Sequence, residues 1–143
     1  MPNENTSIDN SNTQPNEVSD AADYYVDIEK VNITVKQDTI TPTSVSIVIQ
    51  NNNENNLTYS EEFKIQEKIN ETWKDLKYKS GSRLMWNSLL LIVHEHDEAT
   101  QKLDIETYYG SLPKGIYRVK KSIINANKDA KQSYVCSDEF QID

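Results

Sequence analysis

Five consecutive residues, His94-Glu95-His96-Asp97-Glu98, are the densest group of metal-ligand side chains in this 143-residue chain. On an extended strand, residues two apart face the same side. His94 and His96 would then meet one ion such as Zn²⁺, and nearby carboxylates would complete its shell. They are the chain's only two histidines, and the spacing supplies no third ligand. The alternative is a solvated polar loop after the apolar run Leu89-Leu90-Leu91-Ile92-Val93.

Nucleophilic chemistry has less to work with. Cys136 is the single cysteine, so it forms no internal disulfide and marks no redox compartment. In the run Tyr134-Val135-Cys136-Ser137 it shares a face with Tyr134 and reads as a small buried hydrophobe. An activated thiol needs a cationic neighbour, and the sequence places none beside it. There is no Gly-x-Ser-x-Gly elbow, no phosphate-cradling loop in a chain with three glycines, and no Asp-x-Asp-x-Asp-Gly calcium loop. The motifs therefore indicate neither an enzyme nor a resident cofactor.

Two charges fall where apolar residues are expected. Glu67 lies in phase with Ile65 and Ile69, and Lys121 lies in phase with Val119 and Ile123. A buried charge left alone is strongly destabilising, so these two should meet if their strands are neighbours. The competing reading is that both sit near a sheet end and reach solvent.

The elements that must position these groups are strands. Val31, Ile33 and Val35 alternate with polar residues, as do Val45, Ile47 and Ile49. Phe63, Ile65 and Ile69 mark a third strand, and Trp73 to Tyr78 a short fourth. Leu84 to Trp86 and Leu89 to Val93 add one or two more, and Lys102 to Thr107 another with Leu103 and Ile105 inward. The last two run over Ile116 to Ile124 and Ser133 to Ile142, the latter with Tyr134, Cys136, Phe140 and Ile142 on one face. Between strands lie turn signals, including Asn51 to Asn56, and Glu95 to Thr100 has room for one helical turn. Such a series describes an all-β antiparallel sandwich of seven to nine strands.

The corner Tyr109-Gly110-Ser111-Leu112-Pro113-Lys114-Gly115-Ile116-Tyr117 feeds the penultimate strand. Pro113 fixes a backbone angle and Gly115 permits a positive φ there. Tyr117, opening the strand, can tie the corner to nearby backbone through its hydroxyl. Trp73 and Trp86 are expected to pack on the sandwich core.

Residues 1–23 are polar and low in complexity and are expected to be a disordered tail or tether, leaving 24–143 as one domain. The net charge of −8 disfavours a nucleic-acid partner. Lys114, Arg118, Lys120 and Lys121 gather in one strand that reads as a solvated face. No run approaches the roughly 20 apolar residues of a membrane span. No secretory leader is evident, so the chain is cytoplasmic or the mature part of an exported protein; the polar tail favours export.

The block Glu61 to Lys68, Trp73 after a turn, the stretch Tyr109 to Lys121, and Tyr134 with Asp138-Glu139-Phe140 resemble a bacterial immunoglobulin-like domain family of Gram-positive exported proteins and lipoproteins. The Tyr-Gly-x-Leu-x-x-Gly-x-Tyr-Arg element is the most specific part, and the resemblance covers roughly residues 30–143. It implies an immunoglobulin-like β-sandwich without catalytic residues. It also implies an extracellular or surface-attached location, which a lipid-attachment cysteine upstream of Pro2 would establish. The function expected is that of a non-catalytic binding module for another protein or a cell-wall component. The alternative is a small proteinase inhibitor of the same fold, which would need a rigid, extended, exposed loop. Asn51 to Asn56 reads as too flexible for that.

Overall fold

Period-two alternation produces the smaller of two sheets. The computed structural model describes residues 26–79, 90–124 and 132–143. The tail at 1–23, the strand expected at Leu84 to Trp86, and Trp86 itself lie outside them. β1 (Val31–Val35) and β2 (Ser44–Asn51) bury every second side chain. They pair antiparallel with Ile33 opposite Ile49. β7 (Glu98–Asp104) adds to the other side of β2, placing Leu103 opposite Val45.

Among the described residues the larger sheet contains seven strands built around one long one. β8 (Gly115–Ile124) is central. On one side it pairs with β3 (Leu57–Tyr59) and β4 (Lys64–Ile69) in series. β6 (Leu91–Val93) lies outside β3, and β5 (Thr72–Asp75) lies outside β4. On the other side β8 pairs with β9 (Gln132–Cys136) and β10 (Phe140–Ile142). Inward residues of both sheets, among them Ile33, Ile47, Leu103, Ile65, Tyr117, Val119 and Phe140, form one buried core. Burying a large aliphatic contributes about 1.5–3 kcal/mol, so this layer dominates stability.

Among the described residues ten strands stand where seven to nine were expected, because Leu57–Tyr59 forms a strand that the sequence did not mark and the expected last strand is divided into β9 and β10. Between β9 and β10 the pairing with β8 gains a residue, since Cys136 opposes Lys120 but Phe140 opposes Tyr117. This is a β-bulge, and it reverses which face successive residues occupy. Ser137 occupies it: its N–H donates to Val119 O at 2.8 Å, and its Oγ accepts from Val119 N at 2.9 Å. Asp138 Oδ1 then accepts from Val35 N at 2.8 Å and ties the bulge to the other sheet. Consequently Val135 and Ser137 are buried while Tyr134 is 49 % exposed. The expected single inward face through Tyr134 and Cys136 is therefore incorrect.

The second departure follows β7. Asp104 caps a short helix, α1 (Ile105–Tyr109), where a strand was expected to continue. Its Oδ1 accepts from Thr107 N and its Oδ2 from Thr107 Oγ1, at 3.2 and 2.6 Å. An Asp able to satisfy orphan N–H groups offers the backbone this alternative to a ladder. Ile105 is buried either way.

Candidate functional site

Tyr117 is completely buried, and its hydroxyl donates to Pro113 O at 2.6 Å. Desolvation raises its hydroxyl pKa, with nearby Glu67 adding to the effect. The corner's positive φ belongs to Gly110, at 77°, and not to Gly115 as expected. Gly110 ends α1 and lets the chain leave the helix in a conformation that L residues rarely adopt. Gly115 serves closeness instead. A Cβ there would stand 3.1 Å from Glu67 Oε2 and 3.2 Å from Tyr117 Oη.

The strands of Glu67 and Lys121 are neighbours, but the two side chains do not pair. Register sets Glu67 opposite Tyr117, four residues before Lys121 on β8. At about 3.3 Å per residue this offsets them by about 13 Å. Lys121 finds another solution. Its Nζ donates to Ser60 O at 2.6 Å and Glu62 O at 2.7 Å, and lies 5.2 Å from the centre of the Tyr59 ring. The chain between β3 and β4 leaves the ladder here and turns carbonyls toward the ammonium. Burial lowers the Lys121 pKa to about 8, opposed by Glu62 and Glu61.

His94 and His96 do not share a strand. β6 ends at Val93, and both histidines lie exposed in the turn that enters β7. His96 has φ 55°, and its Nε2 lies 2.8 Å from Glu54 Oε2. No group of three His, Cys, Asp or Glu able to hold an ion occurs among the described residues. The Asn-rich loop is better built than its composition suggested. Asn51 is fully buried, its Nδ2 lying 2.9 Å from Asn55 O and 3.1 Å from both Val93 O and His94 O. Its Oδ1 accepts from Asn53 N, and Asn53 in turn brackets the backbone of Asp27. This closes the loop into a compact turn rather than an extended segment.

The outer face of the larger sheet holds the most developed side-chain arrangement. Trp73 is half-buried there and not in the core, because register pairs it with outward Lys68. The Arg118 guanidinium lies 4.3 Å above its ring, and its Nε donates to Gln66 Oε1 at 2.7 Å. Gln66 Nε2 donates onward to Asp75 Oδ1 at 2.8 Å. Lys68 Nζ lies 5.8 Å from the same indole and donates to Glu139 Oε2 at 3.2 Å. Farther along, the Lys120 ammonium sits 4.9 Å from the Tyr134 ring centre, and Lys64 stands directly across from Lys120. Cys136 is half-buried on this face, its Sγ 4.0 Å from Gln66 Oε1. It is not the core hydrophobe expected, because the bulge sets its parity.

The convergence of Lys64, Lys68, Arg118 and Lys120 was not foreseen from sequence. The alternations Lys64-x-Gln66-x-Lys68 and Arg118-x-Lys120 carried the signal, but pairing them requires the register. Cations over aromatic faces are worth about 0.5–2 kcal/mol each, according to desolvation. The chemistry of such a face suits an anionic or ring-bearing partner, and among the described residues it offers no nucleophile–base pair.

A family model described as the bacterial Ig-like domain matches residues 27–141. The chain belongs to that family. This Ig-like domain is also similar to the archaellum periplasmic stator protein FlaG from Sulfolobus acidocaldarius, at 14 % identity and a TM-score of 0.38, covering 74 % of this chain and 98 % of that one. A likeness of that order carries no functional weight. Comparison with curated proteins found no match. The family and the fold support a surface or interaction module. No helix among its described residues is long and apolar enough to cross a membrane.

Proposed function

We propose that this chain is a non-catalytic Ig-like module, exported and displayed on a Gram-positive cell surface, that binds an anionic saccharide of the wall. The polar stretch 1–23 serves as its tether. One observation carries the reading: a chain of net charge −8 collects Lys64, Lys68, Arg118 and Lys120 with Trp73 and Tyr134 on one sheet face. Aromatic and Arg side chains are favoured at binding surfaces because each combines apolar area with a polar or charged end. Rings stacked on Trp73 or Tyr134 would bring their acidic substituents against the flanking cations. The remaining acidic surface opposes long polyanions such as nucleic acid, which favours recognition of local anionic groups.

The test is co-sedimentation of the purified chain with isolated cell walls, before and after extraction of their anionic polymers. Binding to intact walls is expected, with loss on extracted walls and in the Trp73→Ala/Arg118→Ala variant. Equal binding to both wall preparations would point to peptidoglycan or a wall protein and overturn the reading. Absence of binding to intact walls would overturn it as well.

A further inference from the structure

We infer that the cross-strand pair Lys64 and Lys120 forms, with Ser122 and Tyr134, a seat for a single oxyanion group. The inference deepens the proposed reading of the outer face by naming where on it the anionic group is held. The two lysines are directly opposed on adjacent strands. Like charges in that position repel across about 5 Å between Cβ atoms and destabilise the sheet. Lys68, by contrast, has Glu139 and Glu71 within 4 Å, and Arg118 is linked through Gln66 to Asp75. Neither Lys64 nor Lys120 has a carboxylate within salt-bridge distance among the described residues. Two of the four cations on this face are thus compensated, and the opposed pair is not.

Next to that pair lies a cavity of about 90 Å³ lined by Glu62, Phe63, Lys64, Lys120, Ser122 and Tyr134. About 15 Å³ of such space accommodates one water, so a small oxyanion fits. Ser122 Oγ is buried there with no hydrogen-bond partner among the described residues. A buried hydroxyl left without a partner is destabilising unless something fills its capacity. An oxyanion between the lysines would accept from both ammonium groups, and a rotation of the Ser122 side chain about χ1 would turn its buried hydroxyl to the same group, meeting the unmatched charge and the unmatched donor together. Glu62 also lines the cavity, and its carboxylate opposes the anion, so the two lysines together must outweigh it. Tyr134, pinned under Lys120, supplies a flat wall for whatever carries that group.

The test is a two-dimensional amide NMR titration of the whole chain at pH 7 and constant ionic strength, with inorganic phosphate in one arm and acetate in the other. Saturable shifts centred on Lys64, Lys120, Ser122 and Tyr134 are expected. They should be lost in Lys64→Gln/Lys120→Gln and weakened several-fold in Ser122→Ala, with all three spectra otherwise folded. Saturation by phosphate assigns a phosphate-type group, and saturation by acetate alone assigns a carboxylate. Shifts that fail to saturate, or that spread equally over Lys68, Lys114 and Arg118, overturn the seat. The probes contain no wall material, so the two ideas fail separately. A chain that sediments with walls yet ignores both anions loses the seat and keeps the binding face. One that seats phosphate and ignores walls keeps the seat and loses the proposed function.

Discussion

The hydroxyl of Tyr117 donates to the carbonyl oxygen of Pro113 across 2.6 Å, from a side chain with no solvent exposure. This bond closes the corner between α1 and β8 and positions the first residue pairs of the larger sheet. Tyr117→Phe keeps the ring against Phe140, whose centroid is 5.8 Å away, and removes only the bond. A loss of about 1–2 kcal/mol is expected, one hydrogen bond plus a partly desolvated carbonyl. Urea denaturation should show a lower midpoint with an unchanged slope.

Gly115→Ala should destabilise although it stiffens the unfolded chain. The stiffening is worth about 0.4–1 kcal/mol. The new Cβ, however, would stand 3.2 Å from Tyr117 Oη and 3.3 Å from its Cε2, on a ring already pinned by Pro113. Overpacking of this kind costs about 1–3 kcal/mol, so the net sign is unfavourable. Adding Glu67→Ala should recover part of the loss, because the other close atom is Glu67 Oε2 at 3.1 Å. Thermal melts of the single and double variants check the order.

Lys121 gives the domain an alkaline stability signature. Its folded pKa of about 8 lies below the usual 10.5, so between those values the unfolded chain holds a proton that the folded one has released. Stability from this group therefore rises as pH increases from 8, by at most about 1.4 kcal/mol per pH unit. Lys121→Met should be less stable than the parent at pH 7, because Ser60 O and Glu62 O lose their donor. The gap should widen between pH 8 and 9.5. Denaturation of both proteins across that range decides it, and a constant gap would refute the assignment.

Asn51→Asp should be costly at neutral pH and much milder in acid. The substitution turns a donor surrounded by the carbonyls of Asn55, Val93 and His94 into a carboxylate. A buried carboxylate facing carbonyls has a raised folded pKa. Stability then falls as pH rises through the unfolded Asp value near 3.9. Melting temperatures of variant and parent should differ least below about pH 4 and most at pH 7, where a loss above about 3 kcal/mol is expected.

Local alternation and turn chemistry determined much of this protein. Val31 to Val35, Val45 to Ile49 and Ile116 to Ile124 read as strands because a half-buried strand must alternate, and the Tyr117 corner announced an immunoglobulin-like sandwich. The neighbouring relation of the Glu67 and Lys121 strands follows from immunoglobulin-like topology once the sandwich is assigned. Their register does not. It depends on where the chain leaves the ladder between β3 and β4, and that decided that Lys121 meets backbone carbonyls while Glu67 meets Gly115. The bulge at Ser137 likewise moved Tyr134 and Cys136 to the outer face, because one extra residue inverts parity and composition does not announce it. The outer-face pairing of Lys64 with Lys120 and of Trp73 with Arg118 arises only when residues more than 40 positions apart in sequence are set side by side. Sequence alone determined the fold class through local periodicity; tertiary structure decided the binding face, because cross-strand register is a long-range property.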